Sequence, residues 1–292
     1  VLLAPAYLGA NGGGQGWYME AAAAGPERMR AYGAAVARRF SKYRNIVWVL
    51  GGDFDAPDRR LVTSLAEGIA SVSPDAIQTV HSRRDTDTAR LWADARWLAI
   101  DTVYNYGNTP QAVLSRTKSA KMPVILLETL YEGEHGTTTE MVRRNAYGAL
   151  LAGAAGQFFG NSPIWHFSAE GLFNPDKDWK TALDSPGARS MTVRRNLFAA
   201  LPWTQLQPDR QAGPDLSGAS LPDGSLMLIY GAANTFPKRA EKALWLDPVS
   251  GRATDASPEG EAYRTPGKNA GGDTDWLLVS GTAERIDPLR KR

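Results

Sequence analysis

The chain has 292 residues, 43% of them hydrophobic and 22% charged, with a formal net charge of +2. That length holds a barrel of moderate size plus a small second module, the weak charge names no nucleic-acid or membrane partner, and the lack of any run of about 18 apolar residues excludes a membrane-spanning helix. Zero cysteines remove disulfides, cysteine-zinc sites and thiol chemistry together, and fit a cytoplasmic as well as an exported protein.

Val1 to Leu8 begins inside an apolar strand pattern, without initiator Met, signal peptide or preceding cap, so a missing N-terminal portion is expected. Gly9 to Tyr18 is a glycine-rich loop with two aromatics, Trp17 and Tyr18. It lacks the Lys-Ser/Thr ending of a phosphate loop and does not open through GxGxxG into a helix, which argues against nucleotide binding. Pro26 opens a helix reaching Tyr43, with Met29, Tyr32, Val36 and Phe40 at three- and four-residue spacing. Asn45 to Asp53 is an unbroken apolar strand ending on Gly51-Gly52-Asp53. Asp58 to Val72 reads as an amphipathic helix, Ala76 to His81 as a strand, Trp97 to Tyr106 as a strand with polar ends, and Gln111 to Ser119 as a short helix. Pro123 to Glu128 repeats the pattern of a buried strand delivering an acid. Thr138 to Leu151 follows as a helix and Gly156 to Gly160 as a short strand, before the aromatic segment Ile164-Trp165-His166-Phe167.

Alternating strands and helices predict a parallel sheet with helices outside. A doubly wound sheet gathers its site at one switch point, whereas a barrel places it at the C-terminal ends of strands around one mouth. Asp53, His81, Tyr104, Glu128 and Trp165-His166 all fall at or after successive strand ends. The predicted fold is therefore α/β, a (β/α)8 TIM barrel over residues 1–201 lacking its first two βα units. After a helix over 185–200 and a Pro/Asp/Gly-rich linker over 208–224, strands of period two at 225–230, 242–246 and 276–279 predict a small β-sandwich over 202–292. The basic tail, 285–292, is expected to fray.

Two carboxylates at such a mouth suit glycosidic bond cleavage: one protonates the departing oxygen, the other attacks or supports the anomeric carbon. A separation of about 5–5.5 Å implies retention and about 6.5–9.5 Å inversion. Trp48, Phe54 and Trp165 are candidates for the apolar wall that raises the acid's pKa. Asp53 has a competing reading as a turn or N-cap acid, a role Asp55 can share. Glu128 continues a Val-Ile-Leu-Leu run, where an unpaired buried carboxylate costs on the order of several kcal/mol, so it is paired or faces a cleft. Glu132 and Glu134 are expected to be solvated and His135 a loop residue; His81 and His166 are candidates for substrate contact. The three histidines show no His-x-His or His-Glu-x-x-His spacing, so no metal and no cofactor is expected, and no Gly-x-Ser-x-Gly elbow points to a serine hydrolase.

Asn45 to Asp53, Glu128-Thr129-Leu130-Tyr131-Glu132-Gly133, Arg143-Arg144-Asn145-Ala146-Tyr147 and Gly153-Ala154-Ala155-Gly156 together resemble the apiosidase-like glycoside hydrolase group. Its (β/α)8 catalytic domain is followed by a β-domain of the collagen-binding type, which Leu244 to Gly251 and Asp275 to Val279 resemble. The resemblance implies that Asp53, ending strand four, is the general acid/base and Glu128, ending strand seven, the nucleophile of a retaining mechanism. It makes Val1 to Leu8 strand three and implies a secreted or periplasmic hydrolase that cleaves a terminal or internal glycosidic bond of plant or microbial polysaccharide, with apiose or another terminal sugar of complex pectin as a candidate product. Trp17, His81, Tyr104, Tyr131, Trp165 and His166 are the expected sugar contacts. The alternative is a carbohydrate-binding barrel without activity.

Overall fold

The computed structural model describes residues 1–168, 178–209, 212–213, 215–240 and 242–291. The chain is mixed α/β and divides into two compact units, Val1–Tyr106 with Ser119–Leu127, and Gly107–Lys118 with Glu128–Arg292.

In the first unit β1 (Leu2–Leu3) is followed by α1 (Tyr18–Phe40), β2 (Val47–Gly51), α2 (Arg60–Val72), β3 (Ile77–His81), α3 (Thr88–Leu91), β4 (Asp101–Tyr104) and β5 (Val124–Glu128). The predicted first strand shrinks to two residues. Strands β1, β2 and β3 are parallel neighbours, with Leu3 opposite Trp48 and Gly51 opposite His81. β4 lies beside β5 and is tied to β3 by buried threonines: Thr79 Oγ1 donates to Ile100 O and Thr102 Oγ1 to Val80 O, both at 2.7 Å. α1 breaks at Gly25, φ 78°, and restarts on Pro26 as the sequence predicts. Leu50, Leu61, Leu65, Ile69 and Val80 form the core with Met29 and Ala37 of α1. Two glycines let the covering helices touch: a Cβ on Gly33 would stand 2.3 Å from Leu65 O, and one on Gly68 2.1 Å from Arg30 O.

The second unit opens with α4 (Thr109–Thr117), then β6 (Tyr131–Glu132), α5 (Thr139–Leu151), β7 (Gly156–Gln157), β8 (Gly160–Asn161), α6 (Ser162–Trp165), α7 (Trp179–Ala182) and α8 (Pro186–Ala199). Caps set the helix starts: Thr138 accepts from Met141 N and Ser185 from Ala188 N, each at 3.2 Å. β9 (Gln207–Asp209), β10 (Leu216–Ser220), β11 (Leu226–Gly231), β12 (Thr235–Pro237), β13 (Ala243–Leu246), β14 (Ala253–Ala256), β15 (Pro258–Glu259), β16 (Ala262–Arg264) and β17 (Trp276–Gly281) follow, and α9 (Ala283–Ile286) ends the chain with a 3-10 turn over Asp287–Lys291. A six-stranded sheet runs β14-β13-β17-β11-β10-β9, and a three-stranded one β12-β16-β15.

Three expectations change here. The predicted linker contains β9 and β10, although Arg210, Gln211 and Pro214 lie outside the described residues. The period of two gives way to strands buried on both faces: Leu228, Leu244, Leu277 and Val279 pack on α5 and α8, while Ile229, Trp245 and Leu278 pack on Phe236 and Tyr263 of the small sheet. The tail does not fray, because Ile286 and Leu289 enter the core and Arg290 pairs with Asp255 and Asp287; only Arg292 lies outside the described residues.

Candidate active site

Asp53 follows β2 by two residues, and backbone conformation aims it. Gly51 and Gly52 have φ of 72° and 132°, and Asp53 itself sits at φ 53°, a region that short polar side chains tolerate. No residue with a Cβ replaces Gly52 without a clash, since that atom would stand 2.4 Å from Tyr7 Cδ2. Because Gly51 is in register with His81, the ends of β2 and β3 are level. A cavity of about 450 Å³ opens there, lined by Asn11, Asp53, Asp55, Arg83, Asp85 and Tyr104 among others. The His81 ring lies 5.2 Å from that of Tyr104, which meets Tyr106 edge-on at 5.4 Å. Asp55 supports the cavity wall: it accepts from Arg83 N at 3.1 Å and Thr86 Oγ1 at 2.5 Å, which folds the loop beside it. Trp17 precedes α1, donates its backbone N–H to Tyr7 O at 2.8 Å and is 62% exposed.

The other expected residues belong to the second unit. Glu128 ends β5, half-buried, and Thr129 after it is buried. Thr129 Oγ1 accepts from Asn145 Nδ2 at 2.9 Å and lies 3.0 Å from Thr109 Oγ1. Tyr131 of β6 lies flat on Gly160 of β8, where a Cβ would stand 2.6 Å from the ring. Glu132 and Glu134 are not solvated as expected. Glu132 accepts from Ser185 Oγ (2.5 Å), Asn161 Nδ2 (3.1 Å) and Gly187 N (2.9 Å), so it closes the start of α8. Glu134 accepts the indole N–H of Trp165 at 2.8 Å, which orients a ring left 45% exposed. His166 is buried, 3.4 Å from Ser162 Oγ, and meets Trp165 edge-on at 4.9 Å. His135 is an exposed loop residue at φ 49°.

Nothing in the sequence pairs Arg143 with a partner, yet its guanidinium, 1% exposed, reaches Asp275 at 2.7 Å and Asp273 at 2.8 Å. Asp275 also accepts from Tyr230 Oη at 2.5 Å and Asn269 Nδ2 at 2.8 Å, and Tyr230 stacks on Tyr147 at 4.6 Å. Burial alone would lower the Arg143 pKa, but its hydrogen bond to Asp275 and that carboxylate's charge raise it well above the ordinary arginine value. Burial pushes the Tyr230 and Tyr147 phenols up, with the charge of Asp275 adding at Tyr230. Arg143 and Asp275 each stand in a motif of the sequence, but a pair 132 residues apart leaves no local signal.

Acids at the ends of buried parallel strands, with aromatic side chains nearby, suit glycoside hydrolysis. The chain belongs to the apiosidase-like family, whose catalytic-domain model matches residues 1–205. Among solved structures it is similar to a glycoside hydrolase family 5 protein from Bacteroides vulgatus ATCC 8482, at 23% identity over 89% of this chain and 67% of that one, with a TM-score of 0.77. A second glycoside hydrolase gives 22% identity over 89% and 70%, again at a TM-score of 0.77. At these identities the likeness speaks for the fold alone. No curated protein matches the chain. Among the described residues no helix is long and apolar enough to cross a membrane, and no group of three or more His, Asp or Glu could hold a metal ion.

Proposed function

We propose that the protein is a retaining glycoside hydrolase in which Asp53 is the general acid/base and Glu128 the nucleophile, cleaving a terminal or internal glycosidic bond of plant or microbial polysaccharide, with apiose or another terminal sugar of complex pectin among the candidate products. In this reading β1 to β5 are the third to seventh strands of a (β/α)8 barrel occupying residues 1–201, and residues 202–292 are a β-domain. The observation that carries it is the level ending of β2 and β3, beside which Asp53 and Tyr104 line one cavity.

The mechanism follows from the two carboxyls. Glu128 attacks the anomeric carbon while Asp53 gives its proton to the departing oxygen, forming a glycosyl-enzyme. Asp53, now a carboxylate, takes a proton from water, which displaces Glu128 and restores the anomeric configuration. Tyr104 and Trp165 offer faces for sugar rings, and Glu134 sets the plane of Trp165.

The test is hydrolysis of p-nitrophenyl glycosides of common pentoses and hexoses, and of pectic oligosaccharides, with the first-formed anomer followed by NMR. The expected outcome is retention, with kcat lowered about 10²–10⁴-fold in Asp53→Asn and turnover lost in Glu128→Gln. Hydrolysis surviving both substitutions, or an inverted product, overturns the assignment.

A further inference from the structure

Glu128 is the last residue of β5. Its successor is held firmly. Thr129 is 6% exposed, and its hydroxyl accepts from Asn145 Nδ2 at 2.9 Å while sharing a second bond, in which either hydroxyl can be the donor, with Thr109 Oγ1 at 3.0 Å. Thr109 and Asn145 are themselves 0% and 4% exposed, so this chain of three polar groups lies out of water. There, an unmade hydrogen bond is costly and a made one is directional.

Two geometric facts turn this buried chain toward the reaction. Successive side chains along extended backbone point to opposite sides, so tying Thr129 to α4 and α5 turns Glu128 the other way. Asn145 is also on an anchored helix. Residues two apart on a helix face nearly opposite directions, about 200° around the axis, and two positions before Asn145 the buried Arg143 grips Asp275 and Asp273. α5 is thus held on one side by the C-terminal sheet and holds Thr129 on the other.

We propose that Asn145, acting through the Thr129 hydroxyl, is the positioning residue of Glu128. This rests on reading Glu128 as the nucleophile. Asn145 does not touch substrate; it fixes the backbone from which the attacking carboxylate projects, where a displacement of about 1 Å costs on the order of 10²-fold in rate.

The experiment uses the full chain and the p-nitrophenyl glycoside that the wild type cleaves fastest. Thr129→Val, nearly the same shape without the hydroxyl, and Asn145→Leu are each expected to lower kcat about 10- to 100-fold with KM within about twofold, and Thr129→Ser to restore the rate. A merely structural role would not give the next result. In Glu128→Ala rescued by azide, which attacks in place of the missing carboxylate, adding Asn145→Leu should change the rate by less than about twofold, because nothing remains to position. Thermal unfolding reports whether each variant folds; if Asn145→Leu does not, the Thr129→Val and Thr129→Ser pair decides. Folded variants with wild-type kcat, or an equal loss in the azide-rescued background, overturn the proposal. Wild-type turnover in Glu128→Ala, or a wild type inert on every glycoside, overturns instead the reading it rests on.

Discussion

The two proposed catalytic acids are held by different means. Asp53 is aimed by main chain: three consecutive residues at positive φ turn the end of β2, and Gly52 leaves no room for a Cβ beside Tyr7. Glu128 is flanked by side chains reaching far along the sequence, Thr129 to Asn145 and Thr109, and Glu132 to Ser185, Asn161 and Gly187. A main-chain device fails when a Cβ is added at one position. A side-chain device fails when a distant partner that governs it is removed, so the Glu128 region should be sensitive to substitutions far from it.

The sharpest test is therefore remote. Arg143→Leu strands Asp275 as a buried carboxylate that, among the described residues, keeps Tyr230 and Asn269; breaking such a pair costs about 3–5 kcal/mol. Chemical denaturation should show that loss, and one below about 1 kcal/mol would mean that the sheet does not anchor α5. In the first unit the matching change is Gly52→Ala. The Cβ meets Tyr7 and the backbone is strained at φ 132°, a penalty of about 1–3 kcal/mol. Activity should fall further than that stability loss implies, because Asp53 is re-aimed. Should Gly52→Ala stay active, the main-chain account of Asp53 fails. Glu132→Gln is milder: one carboxylate oxygen becomes an NH₂ facing donors, at about 1–2 kcal/mol, with little change in kcat if Thr129 alone governs Glu128.

The same contrast explains what could be read from the sequence. The run from Asn45 to Asp53 and the strand ending in Glu128 were legible because an apolar stretch, two glycines and an acid are local signals. Thr129, Asn145 and Thr109 form a chain only after folding and carry no spacing that marks them. Glu132 looked solvated for that reason, since its three donors come from β8 and the start of α8. Composition concealed β9 and β10: Pro208 suggested a linker, yet β9 is an edge strand, where a missing N–H is tolerated. The run Leu226-Met227-Leu228-Ile229-Tyr230 signalled burial on both faces more than alternation. Ile286 and Leu289, three apart in a basic tail, were the readable sign that the tail docks.

The smallest expected effect concerns the acids around Arg143 and carries a sign. Glu140 is in the first turn of α5, where the helix dipole favours a carboxylate. Even so, burial first, and then the charges of Asp275 and Asp273, raise its pKa above the ordinary 4.5. The folded protein therefore holds this proton more tightly than the unfolded chain. Between the two pKa values the folded state binds more protons, so this group's contribution to stability falls as pH rises through that window and is most favourable below about 4. Glu140→Gln removes the charge at every pH. At pH 7 the variant should unfold at a slightly higher temperature than the wild type, and the gap should close as pH falls below the ordinary glutamate value. Tm measured for both proteins from pH 4 to pH 8 decides it: a gap of the opposite sign would show that Arg143 and Arg144 outweigh burial and the two aspartates at Glu140, and one constant across the range would show that Glu140 holds its proton no more tightly in the folded protein than in the unfolded chain.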